Sequence, residues 1–272
     1  MSHYQMANRR PSAPLTEAMM MQMAPSIFAV EAHESRSERY TYIPTIEVLR
    51  GLMNEGFQPF KVNQGRTRVP GKSEYTRHMI HLRHADLPTT EDGTQEIIIT
   101  NSHDGTSAYI MESGYYRQIC SNGLMCFNPS ATVKAYHRGA EETIHNVIEG
   151  AFTIIDRSKE IGYQIQDMTT IDVNPVQAEI MARAMLAVRF PDGSPISERQ
   201  ALQPQRYYDT GTSLWTTWNR VQENITKGGM MGRDVNNRQR RVRAVTGMDS
   251  DAKLQRGLWQ VLEAMRSELK AA

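Results

Sequence analysis

Several short runs in this chain hold residue types able to do chemistry. Gly65 to Ser73 reads GRTRVPGKS, a glycine-flanked segment ending in Gly-Lys-Ser, the composition that cradles phosphate oxygens. Its spacing is one residue too long for a P-loop, and a strand pattern rather than a helix follows it. The nucleotidase reading fails on both counts. His78, His81 and His84 recur every third residue. On a strand, His81 points away from the other two, so the spacing does not build a metal site. Cys120 and Cys126 lack a second pair and read as reduced, buried thiols. His103-Asp104 is a lone dipeptide in a loop, and no nucleophile elbow or paired-carboxylate signature appears. The sequence therefore points to no catalytic residue, no metal and no cofactor.

What stands out is cationic. The net charge of +1 over 272 residues conceals a strong segregation. Phe60 to Ala85 holds six Lys/Arg against one acid, and Lys227 to Arg243 again holds six against one. Between Gly139 and Glu198, ten acids face four Lys/Arg. A near-zero mean excludes a protein that coats polyanions with its whole surface, whereas two local basic zones suit a defined phosphate-binding groove. Guanidinium forks match phosphate oxygens, and the asparagines of Arg233 to Arg243 add neutral donors. Tyr115 and Tyr116 beside Arg117 read as base-stacking candidates, because neighbours on a strand cannot both face one core. Trp215 and Trp218, on successive helical turns, read as core anchors.

The elements that must position these groups can be read from periodicity. Residues 1–40 carry three prolines and a methionine cluster and read as a flexible leader, with a short helix through Glu17 to Met23. Residues 41–272 read as one α+β domain, β-rich over 57–138 and helical over 139–272. Thr45 is placed as the cap of a helix ended by Gly56. Three strands follow, Gln58 to Val69, Tyr75 to His84 and Gln95 to Thr100, as an antiparallel meander. On the second strand, Ile80 and Leu82 face the core with His78 and His84. Arg77, Met79, His81 and Arg83 then face outward, where Arg66, Arg68 and Lys72 extend the basic surface. Helices are placed at Thr143 to Ile161, after Pro175, at Ser213 to Ile225 and at Asp251 to Leu269, with Asp249 and Asp251 as caps. Absent crossover helices between strands argue against a Rossmann sheet. The longest apolar runs are far short of a membrane span, and the N-terminus lacks a signal-peptide layout. A cytoplasmic protein that avoids membranes is expected.

Arg117 to Leu124 reads RQICSNGL, a basic stretch ends Val133-Lys134-Ala135-Tyr136-His137-Arg138, and Arg240 to Trp259 reads RRVRAVTGMDSDAKLQRGLW. This combination resembles a phage-, prophage- and plasmid-encoded family catalogued as domain of unknown function 932, over roughly Tyr42 to Met265. The resemblance implies a mobile-element protein in a bacterial cytoplasm and transfers no catalytic residue. The order helix, three-stranded meander, helix also resembles the core of phage single-strand annealing proteins of the Red-beta type. That likeness implies rings or filaments that hold DNA in a basic groove without ATP or metal.

These readings together lead to an expected function: an oligomeric single-stranded DNA-binding and annealing protein of a phage or plasmid, not an enzyme. Its expected contacts are Arg66, Arg68, Arg77, His81, Arg83, Tyr115, Tyr116, Arg117, Lys134, Arg138, Arg238, Arg240, Arg241 and Arg243. The acidic middle helices of one protomer would meet a basic face of the next in a ring or filament. A different class, an anti-defence or regulatory factor that binds a host protein, fits a mobile-element origin equally well.

Overall fold

A computed structural model describes residues 13–31, 42–89, 93–105, 107–117, 132–135 and 140–271. The chain is α+β and divides into two compact units, Met1–Glu160 and Ile161–Ala272.

In the first unit Thr16 caps α1 (Glu17–Met23) by accepting a hydrogen bond from the Met19 amide. The methionine helix packs inward: Met20, Ala24 and Ile27 are buried with the core of the unit, and the Leu15 amide donates to the Pro59 carbonyl at 2.7 Å. Helix α2 (Thr45–Asn54) buries Ile46, Val48, Leu49 and Leu52 and stops at Gly56, whose φ of +92° favours glycine. Thr45 is not its cap. Pro44 holds that position, and the Thr45 side chain is committed elsewhere.

A five-stranded antiparallel meander follows in chain order: β1 (Gln58–Gln64), β2 (His78–Arg83), β3 (Gly93–Asn101), β4 (Tyr109–Arg117) and β5 (Val133–Ala135). The first strand ends at Gln64, short of the Val69 expected from sequence, because pairing with the neighbouring strand stops where the chain leaves for the Pro70-Gly71 turn. Register sets two faces. Val62, Ile80, Leu82, Ile97, Ile99 and Met111 share one, packed with α2 and with Val147, Ala151, Ile154 and Ile155 of α3 (Ala140–Thr170). Lys61, Met79, His81, Ile98 and Glu112 share the other, and of these Met79, His81, Ile98 and Glu112 are also buried. Both faces of the middle strands are therefore inside, which period-two reasoning with one solvated face did not anticipate.

The second unit holds α4 (Pro175–Arg189), α5 (Glu198–Ala201), α6 (Leu214–Lys227), a hairpin of β6 (Met231–Arg233) and β7 (Gln239–Arg241), and α7 (Met248–Ala271). Asn174 caps α4 through a reciprocal capping box with Gln177, and Ser213 caps α6. Trp215 and Trp218 stack at 5.7 Å, Trp259 meets Trp218 edge-on at 6.5 Å, and all three are buried. The Trp218 indole N–H donates to the Leu258 carbonyl at 3.0 Å, so the large ring is buried without an orphaned donor. Asp249 and Asp251 lie within the first turn of α7, where they favour the helix dipole, rather than ahead of it as caps. No helix of the described residues is long and apolar enough to cross a membrane.

The Thr45 hydroxyl is the hub of a buried polar cluster. It lies 3.0 Å from His78 Nε2, 3.1 Å from His103 Nε2, 3.3 Å from the Tyr109 hydroxyl and 3.0 Å from Asn101 Nδ2. Ser26 Oγ meets the other His78 nitrogen at 3.0 Å. A hydroxyl can donate one bond and accept two, so these partners compete for it and lock α2 to the ends of β2 and β3. Burial, reinforced by the neighbouring His103, lowers the pKa of His78 to about 3. His78 is thus neutral when folded but gains a proton in the unfolded chain below its ordinary value of 6.5. Stability from this residue is complete above pH 6.5 and falls as the pH drops, at about 1.4 kcal/mol per unit at the steepest. Urea unfolding between pH 7 and pH 5 should show that decline, and His78→Gln should flatten it whatever it does to stability at pH 7.

Candidate nucleic-acid interface

Two sets of the expected contacts can be followed, one in each unit. In the first unit the sheet carries most of them, and its geometry is that of an internal ion network. Glu96 sits inside β3 with its side chain 2% exposed. One carboxylate oxygen is 3.2 Å from His81 Nδ1 and the other 3.0 Å from Arg83 Nε. The Arg83 guanidinium also lies 4.2 Å from the Phe60 ring centroid and 5.6 Å from that of Tyr116. Burial lowers the Arg83 pKa and the neighbouring Tyr116 opposes that shift, while Glu96 and the Phe60 ring lie within contact of the guanidinium.

The outward basic face expected on β2 is corrected accordingly. His81 is buried, and Arg83 is half-buried and neutralised by a carboxylate of its own chain. Tyr115 is 1% exposed with its core-facing neighbours, which removes it as a stacking platform, and Arg117 is buried as well. Tyr116 and Arg77 are half-buried. Arg66 and Arg68 do remain exposed, in the loop between β1 and β2, with no carboxylate in ion-pair range among the described residues; Lys72 in that loop pairs with Asp104 at 3.1 Å. Lys134 is exposed on β5 and lines an open cleft of about 480 Å³ together with Glu142 and Glu149, so that cleft is of mixed charge. Arg138 and the two cysteines lie outside the described residues. Among the described residues no group of three His, Cys, Asp or Glu side chains could hold a metal ion.

The second unit brings arginines together on one short element. β6 and β7 pair Met231 with Arg241, Gly232 with Arg240 and Arg233 with Gln239. Gly232 lets the ribbon press onto the preceding loop: a Cβ there would stand 1.7 Å from the Pro195 carbonyl oxygen. The Arg233 amide donates to that same carbonyl at 2.7 Å, and Gln200 Nε2 donates to the Met231 carbonyl at 3.0 Å. Asp234 then builds the turn. Its carboxylate accepts from the Asn236 amide at 3.0 Å, the Arg238 amide at 2.9 Å and Arg240 Nε at 3.0 Å. These bonds, the Arg238 amide first, lower the Asp234 pKa. Asn237 takes the left-handed conformation with φ +60°, which asparagine tolerates.

Arg233, Arg238, Arg240 and Arg241 are exposed on this hairpin, and Arg243 is exposed just beyond the end of β7. Arg240 is paired to Asp234. The Arg233 guanidinium donates to the Asn237 backbone carbonyl and side-chain oxygen at 3.1 and 3.2 Å, neither of which cancels its charge. Arg233, Arg238, Arg241 and Arg243 have no carboxylate in ion-pair range among the described residues.

Sequence reasoning missed Glu96 as an organiser of the sheet, although an acid among Gln95 to Ile99 in an isoleucine-rich strand was its visible signal. It also missed Asp234, the single acid of the basic run, as the residue that shapes the hairpin.

Removing the Glu96 carboxylate leaves His81 and Arg83 without their shared partner, so Glu96→Ala should cost about 3–5 kcal/mol by chemical denaturation. Asp234→Ala should leave the global melting temperature nearly unchanged while trypsin cuts after Arg238 several-fold faster, since only the turn loses its ties.

Comparison with known proteins follows the whole chain rather than either site. The model of a family described as "Domain of unknown function (DUF932)" matches residues 32–259. UPF0380 protein YafZ of Escherichia coli (strain K12) is 42% identical over 262 residues, covering 96% of this chain and 95% of that protein. UPF0380 protein YfjQ of the same strain is 41% identical over 262 residues, with the same coverage. No solved structure matches. The chain belongs to the family of domain of unknown function 932.

Proposed function

We propose that this protein binds single-stranded nucleic acid, with the β6–β7 hairpin as its principal phosphate contact. The observation that carries the reading is the set Arg233, Arg238, Arg241 and Arg243, exposed on and just beyond a firmly built ribbon and unneutralised by any described carboxylate. Phosphate affinity comes from releasing condensed counterions, which requires cations not already spent on an internal acid. Arg66 and Arg68 on the β1–β2 loop are a secondary contact on the same grounds.

Annealing by an oligomer is the further step of this reading. Protomers that each hold a few phosphates would screen a strand along its length and leave bases free to pair. The acidic first turn of α3, with Glu141 and Glu142, offers a counterpart for basic surface on another copy.

Fluorescence anisotropy with a labelled single-stranded oligonucleotide tests the binding. Four neutralised phosphates predict a slope of log affinity on log salt near −3, about a 50-fold loss between 50 and 200 mM salt. The pair Arg241→Gln and Arg243→Gln should bring that slope to about −1.5. Affinity indifferent to salt would defeat the proposal, as would a slope unchanged by those substitutions.

A further inference from the structure

The hairpin carries an exposed aliphatic residue at its turn that phosphate binding does not use. Val235 sits at its tip, 74% exposed, between Asp234 and Asn236. Its side chain is mostly in water, with one methyl, Cγ1, close to Gly193. Its position is nonetheless fixed. The Asp234 carboxylate ties the backbone on both sides of the turn, the Asp234 amide donates to the Arg238 carbonyl at 3.0 Å, and the Asn237 amide donates to the Asp234 carbonyl at 2.8 Å. Beneath it lies Gly193, where a Cβ would come within 2.8 Å of Val235 Cγ1, so bare glycine backbone seats the tip.

Resting on the phosphate-binding reading above, we infer that Val235 is an unstacking wedge: the arginines hold the backbone while the isopropyl group enters between adjacent bases. Apolar side chains flanked by cations act this way where proteins part base steps, gaining contact with the base faces against the lost stacking. Tyr115 is buried, and His81 is buried against Glu96, so neither of those expected base contacts is available to do it. The exposed Asn236 next to Val235 offers an amide within reach of a base edge once a step has opened. The substrate class this names is a stacked, flexible single strand, in which separating one step costs less than in a duplex.

The full-length chain is titrated into a single-stranded oligonucleotide with an internal 2-aminopurine, whose emission rises when its neighbours unstack; anisotropy follows binding in the same sample. Wild-type protein should raise emission about threefold at saturation. Val235→Ser should bind within about threefold of wild type, because charge carries the affinity, yet lose most of the rise. Val235→Ile should keep it. Saturated anisotropy with flat emission in the wild type, or an undiminished rise in Val235→Ser, overturns the wedge alone and leaves phosphate binding standing. Absence of salt-dependent anisotropy overturns both. Anionic phospholipid vesicles that bind in preference to the oligonucleotide, and lose binding in Val235→Ser, overturn the wedge by assigning the tip to a membrane surface.

Discussion

A carboxylate of the same chain that pairs with a guanidinium cancels its charge locally, and that pairing divides the arginines of this protein. In the sheet, Glu96 takes both His81 and Arg83, and the whole group is folded into a strand neighbourhood with little solvent. The charge there is structural, spent on fixing β2 against β3. In the hairpin region a single carboxylate stands among several arginines: Asp234 pairs with Arg240 and accepts from two backbone amides, and Arg233, Arg238, Arg241 and Arg243 have no carboxylate in ion-pair range among the described residues. The same side-chain chemistry is thus held in a buried ion network in the sheet and left mostly without carboxylate partners at the exposed hairpin.

The hub at Thr45 shows a related economy in the first unit. A hydroxyl expected to cap a helix instead gathers two imidazoles, an amide and a phenol in a buried cluster. Proline takes over the capping position, where its fixed φ suits the turn into a helix and no side-chain bond is required. Holding His78 neutral keeps that cluster compatible with burial, at the cost of stability in acid.

Much of the architecture was legible in the sequence. Helical spacing located α2, α4, α6 and α7, and turn residues located the first three strands of the five-stranded meander, because these signals are local and strong. Strand periodicity failed at β2 for a physical reason: it assigns faces but cannot say whether both are covered. Where both are, an arginine pattern that reads as a basic surface becomes an internal network with an acid from the next strand. That acid, Glu96, lies outside the local window in which β2 was read. The boundary between the two compact units falls inside α3, within a continuous helical pattern, so no linker composition marks it. In the hairpin the sequence showed the cations, whereas only the register and the Asp234 bonds show which of them are unspent and that Val235 is held at the tip.

The division of arginines into spent and available is the central claim, and photo-crosslinking tests it most directly. The protein is irradiated with a single-stranded oligonucleotide carrying 5-bromouracil, digested, and the modified residues are located by mass spectrometry. Crosslinks concentrated in residues 233–243, with none at His81 or Tyr115, are the predicted result. Crosslinks centred on the β2–β4 face, with the hairpin unmodified, would contradict the account.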